Sequence, residues 1–219
     1  MNTDNIIQTI VMMAIPVLLA ITIHEAAHGY AARHFGDRTA EMLGRITLNP
    51  FKHIDPIGTI VIPLLLFFAT SGSFMFGYAK PVPINGRNLK NPRRDMVWIA
   101  LAGPASNFIQ AVLWTALMAG LLLAGVREPF FIGMANAGIV VNLVLGVLNL
   151  FPLPPLDGGR IAVGLLPYKP ASMLARLEPF GFFIVMGLLL VGVLDRYWLI
   201  PLVNLGQSLL LQPLLWLTG

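Results

Sequence analysis

Ile21-Thr22-Ile23-His24-Glu25-Ala26-Ala27-His28-Gly29-Tyr30-Ala31-Ala32 closes an apolar run that begins at Ile6. The run is long enough to cross a bilayer, for which about 20 apolar residues suffice. On a helix, residues four apart share one face, so His24 and His28 can grip one metal ion while Glu25 stands beside them. A pair of buried structural histidines is the plainer alternative. Ionisable groups are expensive at membrane depth, and that cost favours a functional reading. Ala26, Ala27, Gly29, Ala31 and Ala32 are small enough to let neighbouring helices approach closely, as a buried site needs and as ordinary helix packing in lipid also uses.

Composition extends the membrane reading to the whole chain. Of 219 residues, 57% are hydrophobic and 11% charged, and the mean hydropathy is +0.78. The expected fold is an all-α polytopic membrane protein with five to six membrane segments around a buried metal site. Residues 1–219 read as one integral-membrane domain, with a catalytic core at about 6–161 and accessory segments at about 177–217. The absence of cysteine leaves nitrogen and oxygen as metal ligands. A net charge of +4 does not argue for nucleic acid, because the basic residues lie between the apolar runs and report orientation. No Lys or Arg precedes Ile6, so the first segment lacks the basic start of a secretory signal and is expected to persist in the mature protein.

Beyond Ala32 the chain turns polar, and prolines 50 and 56 mark an ordered loop around His53. His53 reads either as a structural loop histidine or as a gate or supporting group of the metal site. Ile57 to Ala69 is apolar but short, Thr70 to Gly77 is rich in Gly, Ser and Phe, and Tyr78 to Asn85 carries Pro81 and Pro83. This pattern predicts a helix that enters the membrane and a short re-entrant extended or β segment that returns, packed on protein or lining a wet cavity.

Met96 to Gly125 is a long apolar helix containing Gly103-Pro104-Ala105-Ser106-Asn107, with a bend expected at Pro104. Asn107 places an amide at membrane depth, where it serves either interhelical hydrogen bonding or a developing oxyanion or substrate backbone. Phe130 to Phe151 runs into Pro152-Leu153-Pro154-Pro155-Leu156-Asp157-Gly158-Gly159-Arg160, which cannot stay helical. Asp157 sits in that break and is the best third metal ligand, because an unpaired carboxylate there would be penalised heavily. Two imidazoles, one carboxylate and an open position are the ligand set of a hydrolytic zinc, with Glu25 free to take a proton from water. If residues 57–84 form a hairpin that returns to its own side, twelve of the fourteen Lys and Arg share one face of the membrane. The positive-inside rule then puts the N-terminus outside, the C-terminus in the cytoplasm and the site toward the cytoplasmic side of the cell (inner) membrane.

His24 to His28, Gly103 to Asn107, and Asn149-Leu150-Phe151-Pro152 running to Leu156-Asp157-Gly158 together resemble the site-2 protease family of intramembrane zinc metalloproteases. The likeness extends from about Thr22 to Ile161. It resembles the small prokaryotic type, with neither an inserted PDZ domain nor a nucleotide-sensing domain. The resemblance implies one Zn2+ per chain held by His24, His28 and Asp157, Glu25 as general base, and cleavage of a substrate transmembrane helix after local unwinding. It also implies that Tyr78 to Asn85 is an edge strand clamping that substrate by strand addition. Expected partners are a transmembrane protein or peptide substrate, the lipid bilayer and a separate regulatory membrane protein. Two alternatives use the same residues: a metal-binding transporter or channel subunit, and a non-catalytic scaffold for transmembrane helices. Glu25 discriminates against the transporter, since a permeation site has no need of a base that does not bind the metal.

Overall fold

The computed structural model describes residues 3–69 and 77–218, and every regular element among them is helical. The helices are α1 (Thr3–His34), α2 (Thr39–Met42), α3 (Ile62–Ala69), α4 (Pro92–Leu123), α5 (Pro129–Asn149), α6 (Asp157–Leu165), α7 (Tyr168–Ala175), α8 (Glu178–Leu190) and α9 (Ile200–Thr218). Proline in the first turn opens α4 and α5, where its missing N–H costs no helical bond. Pro16 and Pro104 lie inside α1 and α4, are fully buried, and do not interrupt either helix.

α1, α4 and α5 pack on one another and carry the site. His24 meets Asn107 and His28 meets Ile99, so α1 and α4 run antiparallel. Asn107 meets Asn142, and Gly138 lies against Trp114, so α5 runs antiparallel to α4 and parallel to α1. The core made by Ile139, Leu143 and Val147 of α5, Val185 and Leu189 of α8, and Val203 of α9 backs this trio. The opposite faces expose Val11, Ile15 and Leu18 on α1 and Ile109, Val112 and Leu113 on α4. A continuous apolar exterior of this kind is stable against lipid and not against water.

Among the described residues, three helical stretches are long and apolar enough to cross a membrane: Val11–His34, Pro92–Leu123 and Pro129–Asn149. α7 and α8, bent by 70° at their junction, make a fourth if taken as one broken span. These helices account for three or four of the five to six expected membrane segments. α3 has only 8 residues and α8 only 13, each short of the length that spans by itself.

The expected β segment also differs from what forms. Residues 77–85 take no regular structure, and no strand occurs among the described residues. Pro81 and Pro83 have no N–H to offer a ladder, and the N–H of Val82 is given to a side chain, Glu25. Residues 70–76, part of the expected turn, lie outside the described residues. The two limbs of the expected hairpin do meet: Tyr78 N–H donates to Gly58 O at 3.0 Å, Thr59 Oγ1 to Tyr78 O at 2.9 Å, and Lys80 N–H to His53 O at 2.9 Å.

Asp37, fully buried after the end of α1, fastens the far end of this segment. It accepts from Asn85 N–H at 2.6 Å, from Asn88 Nδ2 at 2.9 Å, and from the N–H and hydroxyl of Thr39. Burial would raise its carboxyl, but these donors outweigh burial and hold it below the ordinary range.

Candidate metal centre

His24 and His28 leave α1 on one face, as their spacing requires, about 15 and 9 Å before the end of the helix. Asp157 comes from the first turn of α6. A Cβ at Gly158 would lie 2.2 Å from Leu150 O, and one at Gly159 would lie 2.0 Å from Pro154 N. Only residues without a side chain let α6 start this close to the end of α5, and that closeness sets Asp157 against α1. The three residues are 7%, 6% and 5% exposed.

The two Nε2 atoms are 3.0 Å apart, and Asp157 Oδ2 lies 3.2 Å from His24 Nε2 and 3.3 Å from His28 Nε2. Ligand atoms of a tetrahedral zinc with bonds near 2.0–2.1 Å stand about 3.3 Å from one another. The triangle thus has the size of one face of a zinc tetrahedron.

Hydrogen bonds decide which nitrogens carry protons. Gly138 O can only accept, so Asn142 Nδ2 donates to it at 2.9 Å and Asn142 Oδ1 faces Asn107. Asn107 then donates through Nδ2 to Asn142 Oδ1 at 2.9 Å and to Ala20 O at 3.3 Å. Its remaining atom, Oδ1, meets His24 Nδ1 at 2.6 Å, which must therefore bear a hydrogen. His28 Nδ1 likewise donates to Ile99 O at 2.7 Å. With neutral rings, both Nε2 atoms present lone pairs toward the Asp157 oxygen. This donor set fits zinc, whose charge would hold the carboxylate and both imidazoles together.

The sequence-predicted site residues are distributed as follows. His24, His28 and Asp157 come together in one buried group. Glu25 projects next to it, with Oε2 accepting from Val82 N–H at 2.7 Å. Asn107 stands behind His24, fully buried, and every polar atom of its amide is already engaged. That arrangement is interhelical hydrogen bonding, the first of the two roles expected for it. His53 is held apart, its Nε2 donating to Thr47 O at 3.0 Å. Asn142, the Ile99 carbonyl and the Val82 N–H went unnoticed in the sequence. Only Asn142 had a signal there: with Asn136 and Asn149 it is one of three amides in the apolar run from Phe130 to Phe151.

A family model described as Peptidase family M50 matches residues 12–137. The chain belongs to peptidase family M50. YwhC of Bacillus subtilis, which bears a zinc-metalloprotease name, is 40% identical over 205 residues, spanning 91% of this chain and 89% of its own. Rip2 of Mycolicibacterium smegmatis, similarly named, is 34% identical over 185 residues, spanning 83% of this chain and 67% of its own. The zinc metalloprotease MJ0392 of Methanocaldococcus jannaschii is 23% identical over 201 residues. No solved structure matches this M50 chain.

Proposed function

We propose that the protein is an intramembrane zinc metalloendopeptidase that hydrolyses a peptide bond within or near a transmembrane helix of a membrane-protein substrate. One observation carries the reading: Nε2 of His24, Nε2 of His28 and Oδ2 of Asp157 converge within 3.3 Å of one another in one buried group. Membership in a peptidase family favours hydrolysis over transport or scaffolding.

His24, His28 and Asp157 are the ligands in this reading. Zinc bound there supplies Lewis-acid polarisation of the scissile carbonyl and lowers the pKa of a water toward about 7. Glu25 takes a proton from that water as its oxygen bonds to the carbonyl carbon. It then returns the proton to the leaving nitrogen as the C–N bond breaks. Asn107 acts at one remove, holding His24 in the Nδ1–H form. The burial of the ligands excludes bulk water and supports a lipid-embedded substrate.

The bonds joining residues 53–59 to 78–80 support a hairpin that returns to its own side, with the segment 77–85 available to a substrate strand. In this arrangement the C-terminal end of α1, the N-terminal end of α4 and Asp157 share the basic, cytoplasmic side. A fifth or sixth membrane segment would come from α3 and α9.

The test uses the full chain in detergent with a model transmembrane substrate. Glu25→Gln should keep about one zinc per chain and lose cleavage by a hundredfold or more. Asp157→Ala should lose zinc and cleavage together. Normal cleavage by Glu25→Gln removes Glu25 as the base, and retained zinc in Asp157→Ala removes the ligand triad.

A further inference from the structure

Glu25 is gripped by the backbone of a distant segment. Its Oε2 accepts the Val82 N–H at 2.7 Å, and its Oε1 has no hydrogen-bond partner among the described residues. Val82 stands between two prolines, so its N–H is the one backbone donor in the run Pro81-Val82-Pro83. The Val82 side chain is 5% exposed and rests on α1 one turn beyond Glu25, where a Cβ added to Gly29 would lie 3.5 Å from Val82 Cγ1. Amide and side chain therefore dock on adjoining turns of α1.

The neighbours of Val82 are fixed from both sides. Arg45 donates to Lys80 O at 2.9 Å and to Pro81 O at 3.3 Å, while Asn85 N–H is tied to Asp37. These bonds hold the segment without help from Glu25, so the Val82 contact is not needed merely to fasten it. What the contact does fix is the carboxylate. A charge-assisted bond of this length holds one oxygen in place and leaves the other free.

We propose that the Val82 backbone N–H is a positioning group for peptide hydrolysis, holding Oε2 of Glu25 so that Oε1 is the oxygen that receives the proton. The inference rests on Glu25 being the general base. A backbone donor survives every side-chain substitution except proline, so scanning position 82 with alanine would pass over it.

The experiment compares Val82→Pro with Val82→Ala in the full chain, purified in detergent, with zinc content and steady-state cleavage of a model transmembrane substrate measured for each. Val82→Pro deletes the donor between residues 81 and 83, both already proline. It should lower kcat about tenfold to a hundredfold, with KM changed less than about threefold and zinc retained. Val82→Ala keeps the donor and should lose at least tenfold less kcat than Val82→Pro. Equal losses in the two variants, or a rise in KM with kcat unchanged, would overturn the proposal, because packing or substrate binding would then be the role of this residue. Should Val82→Pro fail to fold, replacing the 82 amide with an ester through α-hydroxyvaline deletes the same N–H and keeps the side chain. The same kcat loss is expected there, and an unchanged kcat refutes the inference. Glu25→Gln separates the two readings: if it cleaves normally, the base assignment itself falls. If it is inactive while the ester cleaves at the normal rate, only the role of Val82 falls.

Discussion

Gly103 and His28 stand so close that a Cβ on the glycine would lie 2.4 Å from His28 Nε2 and 2.6 Å from His24 Cε1. α4 can approach the two imidazoles this way only where it carries no side chain. Gly103→Ala therefore sets two effects against each other. Alanine favours the helix by about 1 kcal/mol, while its methyl group occupies the space of the ligands. The expected outcome is a folded, monodisperse protein whose zinc-free form melts no lower than wild type but which binds zinc at least about tenfold more weakly. Chelator competition measures the affinity, and wild-type affinity would show that the rings yield to the methyl group.

Asn142 reaches the metal ligands only through Asn107, yet it determines which way the Asn107 amide faces. Asn142→Leu removes the acceptor and frees Asn107 to turn its NH2 toward His24. The wrong His24 tautomer would then place a proton on Nε2. Zinc affinity is expected to fall about 10–100-fold, with cleavage recovered in excess zinc. Nitrogen chemical shifts of His24 in the zinc-free protein report the tautomer directly, and an unaltered Nδ1–H form would contradict the relay.

Asp37 supplies a pH dependence outside the membrane-spanning helices. Its carboxyl lies below the ordinary range when folded, whereas in the unfolded chain it titrates near about 3.9. The unfolded state thus binds more protons as pH falls through this window. The stability contributed by Asp37 is fully present above about pH 5 and drains away as the pH drops toward the lower folded value. Asp37→Asn should be less stable at pH 7 by about 1–3 kcal/mol and should lose less on acidification. Thermal melts in detergent at several pH values check both. Parallel pH curves for the two proteins would remove Asp37 as the source.

Reading a membrane metal site from sequence succeeds where the geometry is local. The pairing of His24 with His28 follows from helical periodicity alone, and the break follows from the three prolines at 152, 154 and 155, although the helix resumes at once: Asp157, Gly158, Gly159 and Arg160, expected to be non-helical, open α6. Partnerships across helices are harder to read. Asn107 was legible as an amide at depth, but only the approach of Ala20 and Asn142 turned its oxygen toward His24. The number of spans depends on packing of the same long-range kind. The apolar run from Leu177 is long enough in sequence, yet α8 ends at Leu190, and its membrane depth depends on the bend against α7.

The amino-acid sequence by itself determined that the chain is an apolar helical protein with two imidazoles on one helix face and a carboxylate just beyond a distant helical break. These properties depend on residue type and on the 3.6-residue repeat, both of which act over a few neighbours. Tertiary structure alone decided that Asp157 closes the triangle, that backbone carbonyls of Ala20, Ile99 and Gly138 set the protons of both imidazoles, and that the Val82 amide holds Glu25. Each of those depends on where one backbone passes another to within a few tenths of an ångström, a property of packed helices that no local pattern encodes.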